Sequence, residues 1–126
     1  MEIGELTTRK AHEEGAEIAI RLPETGETSD FVIKVQGIDS KAWRTAQKAA
    51  QRAIVKKVAD GVAITDFDEF ELNTLVACTI GWTGLAKDGK EYKFTPKRCR
   101  ELYENAPHVR DQVDTFIGRR VNFTKG

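Results

Sequence analysis

Ala16-Glu17-Ile18-Ala19-Ile20-Arg21-Leu22, then Pro23-Glu24-Thr25-Gly26, then Phe31-Val32-Ile33-Lys34-Val35 is the stretch that decides the fold. In the first run Ala16, Ile18, Ile20 and Leu22 alternate with Glu17, Ala19 and Arg21. In the second, Phe31, Ile33 and Val35 point one way and Val32 and Lys34 the other. A period of two gives a strand one buried and one wet face. Pro23 and Gly26 supply turn chemistry between the runs. Two alternating runs joined by a glycine-containing loop predict an antiparallel β-hairpin. Gly37 closes the second strand.

Beyond Gly37 the period changes to that of a helix. Asp39 or Ser40 offers a side-chain oxygen to the first-turn N–H groups of a helix over 41–58. That segment is rich in Ala, Gln and Lys, all good helix formers, and Asp60-Gly61 stops it. Thr65 and Asp66 open a second helix, with Asp66 and Glu69 at capping-box spacing. Over 67–82 the residues Phe67, Phe70, Leu72, Leu75, Val76, Cys78 and Ile80 make most of the circumference apolar towards the C-terminal end. This predicts a central buried helix that ends at Gly81 and Gly84. An Asp88-Gly89 turn follows. Thr95-Pro96 is a helix start, Thr as N-cap and Pro at the first position. That helix runs to about residue 104 with Cys99, Leu102 and Tyr103 inward. Pro107 begins a last helix with Val109, Val113, Phe116, Ile117 and Val121 on one face, and residues 122–126 are expected to fray.

Upstream of the hairpin, residues 1–14 are polar and charged, with Ile3, Leu6 and Ala11 as spaced apolar positions. They read as a flexible N-terminal arm with a helical turn near 8–14, ended by Gly15. The expected architecture is α+β: an N-terminal antiparallel β-hairpin followed by about four α-helices, in a single compact domain over 15–126.

Composition narrows the function classes. At 126 residues and 40% hydrophobic, the chain suits one domain with a real core. Lys plus Arg equals Asp plus Glu, so the formal net charge is zero and no global basic field exists to hold DNA or a membrane. Two cysteines, Cys78 and Cys99, make neither a disulfide framework nor a zinc pattern and read as reduced, buried thiols. The N-terminus lacks a cationic segment followed by an apolar one, so no signal peptide is expected. No apolar run approaches the length of a membrane span. The expected location is the cytoplasm.

Catalytic patterns are absent from the sequence, and neither enzyme activity nor a cofactor is expected. His12 and His108 have no ligand- or triad-spaced partner. Nucleophile-elbow, phosphate-loop and dinucleotide fingerprints do not occur. Asp60, Asp66, Asp68, Glu69 and Glu71 cluster, but without the further oxygens, turn glycine and late Glu of a calcium loop. Acids at a helix start favour the positive end of its dipole, so no metal site is expected.

The most distinctive pattern is cationic. Lys41, Arg44, Lys48, Arg52 and Lys56 recur every three or four residues, and no acid interrupts 41–58. On a helix they form one stripe, opposite Trp43, Ala46, Ala50 and Ile54. The stripe reads as a solvated face answered by the acids of 60–71, or as a docking surface for an acidic protein partner, or as a nucleic-acid contact. The last would ordinarily bring stacking aromatics or a reading motif, and neither is present. Trp82, in Gly81-Trp82-Thr83-Gly84, reads as a core plug and, second, as a partner contact.

An ordered series of short motifs runs through the chain. Residues 15–45 hold a Gly, an alternating strand, Pro23-x-Thr25-Gly26, a second strand and Gly37-x-Asp39-Ser40. Residues 75–95 hold Gly81-Trp82-x-Gly84, Asp88-Gly89-Lys90 and, continuing to Pro96, Phe94-Thr95-Pro96. Residues 107–124 hold Pro107-x-Val109-Arg110-x-Gln112-Val113 and Asn122-Phe123-Thr124. This series resembles the tail assembly chaperones of long-tailed, siphovirus-like bacteriophages. The resemblance implies a non-enzymatic protein that binds the tape-measure protein and helps recruit tail tube subunits. It implies a host-cytoplasmic protein absent from the mature virion. The apolar positions are largely used by the chain's own core, so a monomer or weak oligomer is expected; composition gives no membrane partner and disfavours nucleic acid. The rival readings are a structural tail or head–tail connector subunit and a small nucleic-acid-binding regulator.

Overall fold

The computed structural model describes residues 1–64 and 67–123. In chain order, α1 is Arg9–Glu14, β1 Ala16–Arg21, β2 Thr28–Val35, α2 Lys41–Ala59 and α3 Phe67–Cys78. They are followed by β3 Thr79–Thr83, β4 Ala86–Lys87, β5 Lys90–Glu91, α4 Pro96–Asn105 and α5 Pro107–Ile117. Short 3₁₀ turns lie at Ile3–Glu5 and Arg120–Asn122. The architecture is mixed α+β, with two small antiparallel sheets.

The larger sheet has the order β1-β2-β3, with Ile18 opposite Ile33 and Ile33 opposite Trp82. Alternation puts Phe31, Ile33 and Val35 of β2 on the buried face. Helices α3, α4 and α5 pack against one another, and α5 also packs on β1. Leu72, Leu75, Cys78, Cys99, Tyr103, Val109, Val113 and Ile117 close one continuous core over the sheet. The other face is wet at Glu17, Ala19, Lys34 and Thr83. Helix α2 lies outside this core and packs on α3. It has no fully buried residue; Trp43, Ala46, Ala50 and Ile54 face inward and are half-buried.

The predicted caps are present where described. Ser40 Oγ accepts from Trp43 N–H at 3.2 Å, which settles the choice between Asp39 and Ser40. Thr95 Oγ1 accepts from Arg98 N–H at 3.1 Å. The expected Asp66–Glu69 capping box falls outside the described residues.

Four expectations are corrected. The helix expected over 67–82 ends at Cys78, and Thr79–Thr83 turns directly into β3 on the free edge of β2. The Thr79 hydroxyl donates to Leu75 C=O at 2.8 Å, satisfying a last-turn carbonyl where the helix stops. The last helix ends at Ile117, with Gly118 as its C-cap, so Val121 is exposed, and Phe116 is half-buried beside the fully buried Val113 and Ile117. Residues 122 and 123, expected to fray, are ordered: Phe123 is buried, with its ring 4.7 Å from His12 and 5.5 Å from Phe116. Leu22, read as inward, is exposed because β1 ends at Arg21.

Candidate docking surface

Helix α2 carries the cationic stripe, and Lys41, Arg44, Lys48, Arg52 and Lys56 are all exposed. Three of the acids that were candidates to neutralise it, Asp68, Glu69 and Glu71, pair with other cations. Arg110 holds Asp68 at 2.9 Å and Glu71 at 3.7 Å, tying α5 to the start of α3. That guanidinium keeps the Asp68 carboxyl below its ordinary range. Arg100 of α4 holds Glu69 and Asn73, and reaches Glu104 at 3.1 Å. The acids of α3 are therefore used on the side away from the stripe. None of the five stripe side chains has an ion pair or hydrogen bond with a described residue. Val55 and Val58 are exposed on the same helix, at 66% and 64% of their surface. An acid-free row of this kind repels cations and offers charge-assisted contacts to carboxylates or phosphates.

No family model matches the chain, and no curated protein or solved structure matches it either.

Trp82 is placed in the core. Its side chain is enclosed by Phe31, Tyr92 and Phe94, and its indole N–H donates to Tyr92 C=O at 2.7 Å. At 9% exposure it offers a partner almost nothing without local opening.

Cys78 and Cys99 are both fully buried, and burial pushes the Cys78 thiol up to about 12 and raises Cys99 as well. Thiols held neutral in this way do not act as nucleophiles at neutral pH. Among the described residues no group of three His, Cys, Asp or Glu side chains is placed to hold a metal. No helix among them is long and apolar enough to cross a membrane.

One cluster had no linear signature. His12, in the segment read as a flexible arm, is fully buried against Gly37 and Phe123. Its Nδ1 accepts from Asp39 N–H at 3.0 Å, so the neutral ring carries its proton on Nε2. That nitrogen lies 3.5 Å from Asp39 Oδ2 and makes no hydrogen bond. Arg120 pairs with both Asp39 oxygens, at 2.9 and 3.0 Å, and Thr8 donates to the same carboxylate. The cluster joins α1, the β2–α2 connection and the C-terminal turn. His108 is exposed.

Burial lowers the His12 pKa, and the Arg120 charge adds to this against the pull of Asp39. A lowered folded-state value means that the unfolded chain takes up a proton near pH 6.5 that the folded chain refuses. Stability is then fully present above about pH 6.5 and falls as the pH drops below it. Asp39 is held down to about 2, first by the Arg120 hydrogen bonds, so its contribution is lost below about pH 4. Urea midpoints measured from pH 7.5 to 4.5 are expected to fall, with a slope of at most about 1.4 kcal/mol per pH unit from this one site. His12→Gln should flatten that window. An unchanged slope in the variant would assign the effect to other groups.

Proposed function

We propose that this protein is a tail assembly chaperone of a long-tailed bacteriophage. It binds the tape-measure protein in the host cytoplasm, helps bring tail tube subunits to it, catalyses no reaction and is left out of the finished particle. The observation that carries the binding role is α2: a 19-residue helix, outside the core, whose cation row has no partner among the described residues. The ordered motif series supplies the identity of the partner. Its pieces sit at structural joints here: Gly81-Trp82-x-Gly84 in and after β3, Asp88-Gly89 at the β4–β5 turn, Thr95-Pro96 at the α4 cap.

The physics suits the role. A tape measure is long and helical, and its apolar seams aggregate when bare. A small domain that docks by a helix face covers such seams. Many weak contacts along one target hold by avidity without any single tight site.

Co-expression with the tape-measure protein tests the binding, and proteomics of purified particles tests the chaperone role. The expected result is soluble co-purification together with absence from particles. With Arg44, Lys48 and Arg52 reversed to Glu, capture should weaken, most at low salt, while the fold stays intact because exposed charges add little stability. Stoichiometric presence in particles would favour a structural subunit. Wild-type binding to random duplex DNA, steeply salt-dependent and lost in the variant, would favour a nucleic-acid regulator.

A further inference from the structure

Resting on that reading, the geometry points to a specific occupant of α2: we propose that an acidic amphipathic helix of the partner lies lengthwise in the groove beside it. The groove has a volume of about 600 Å³ and runs along α2 at Ala42, Thr45, Ala46 and Ala49, with Ala77 of α3 on its far wall. Lys41 stands in the same lining, so the groove opens onto the cation row.

Helical geometry sets which cations reach the occupant. At about 100° per residue, Lys56, Arg52 and Lys41 fall within roughly 70° of the groove line. Arg44 falls about 130° away, on the other side of α2. Lys41 to Lys56 spans about 22 Å of helix, four turns of a partner. The occupant needs carboxylates on one flank, spaced near four and eleven residues apart to match Arg52–Lys56 and Lys41–Arg52. Its facing stripe is aliphatic. Alanines on the receiving side lose no side-chain entropy when covered and let two helix axes approach closely. Charge decides the sign: α2 has no acid between Lys41 and Ala59, so a basic or neutral helix gains no pairing there. Glu13 also stands in the lining, and it disfavours an occupant carboxylate placed directly against it.

The probe is a synthetic peptide of about 18 residues, the length of α2, with a Leu stripe and Glu at these spacings. A second peptide carries Lys for each Glu. Amide shifts of the full-length protein should move at Ala42, Thr45, Ala46, Ala49 and Ala77 with the Glu peptide and stay still with the Lys peptide. Lys41→Glu/Arg52→Glu/Lys56→Glu should weaken binding about tenfold, which corresponds to about 1.4 kcal/mol. Ala49→Trp, which fills the groove and keeps every charge, should weaken it as much. Arg44→Glu should change it by less than about twofold.

Shifts centred away from the groove, or a loss with Arg44→Glu equal to that of the triple variant, would overturn the assignment. So would displacement of the peptide by random duplex DNA that binds more tightly to the wild type. If the Ala49→Trp protein still captures the co-expressed tape-measure protein at full yield, this groove is wrong and the chaperone reading stands. If the peptide result holds and the protein is found in finished particles, the chaperone reading is wrong and the groove stands.

Discussion

Trp82→Ala is expected to lower the unfolding free energy by about 3–5 kcal/mol, the range for truncating a buried aromatic. Trp82 faces Ile33 across the ladder, at the centre of the sheet's buried side. Phe31 meets it edge-on at 5.7 Å and Phe94 at 5.1 Å, while Tyr92 stacks at 6.2 Å. Each such aromatic pair is worth about 0.5–1.5 kcal/mol beyond area. Alanine removes all three and leaves the Tyr92 carbonyl without the indole N–H that it now accepts from. Trp82→Phe should cost less, because it keeps most of the area and loses the hydrogen bond. Urea melts followed by far-UV circular dichroism compare the variants, with Trp43 still present as a second probe. A loss below about 1 kcal/mol for the alanine variant would show that the aromatic cluster does not hold β3 to the β4–β5 hairpin.

That β3 escaped the sequence reading has a physical cause. The β1–β2 hairpin was legible because its buried residues fall two apart, which no helix produces. In β3 the register shifts between Lys34 and Val35, so Val35 pairs with Thr79 while Lys34 pairs with Gly81. The extra residue, Ile80, faces solvent, and the two buried positions, Thr79 and Trp82, are three apart. Three is a helical spacing, and the segment follows a true helix without a break. A bulge therefore disguised a strand as the last turn of α3. The β-branched run Thr79-Ile80 and Gly81 were the local hints, weaker than the period that they contradicted.

The candidate surface was more legible than the sheet. Cations three and four apart must share a face if the segment is helical, and α2 is helical over nearly the expected bounds. The sequence could not say where Asp68, Glu69 and Glu71 would point. That depended on Arg100 and Arg110, whose helices pack on α3 from the other side. The His12 cluster was illegible for a similar reason. His12, Asp39 and Arg120 come from three distant parts of the chain, and tertiary packing alone joins them. A polar composition in residues 1–14 then looked like an unattached arm, although one buried imidazole fixes α1 to the core.

Gly84→Ala should be the most damaging of the glycine substitutions, with a cost of about 3 kcal/mol or more. Two effects combine there. Gly84 has φ +82, which costs an L-residue about 1–2 kcal/mol. A Cβ at this position would also run into the main-chain carbonyl of Asp30, with its carbon at 2.8 Å and Phe31 Cα at 3.3 Å. Those atoms belong to the middle of β2 and cannot swing aside as a side chain tip can. To make room, β2 must shift where Phe31 enters the core, or β3 must peel from it. Gly26 isolates the first effect, since its φ is +73 and nothing lies within 4 Å of its added Cβ. Gly26→Ala should therefore cost about 1–2 kcal/mol, from backbone conformation alone. The difference between the two variants in denaturant melts measures the close approach of β3's end to β2. Equal costs would mean that the strands can separate freely at that point, and the pairing of Val32 with Thr83 would then contribute little to the sheet.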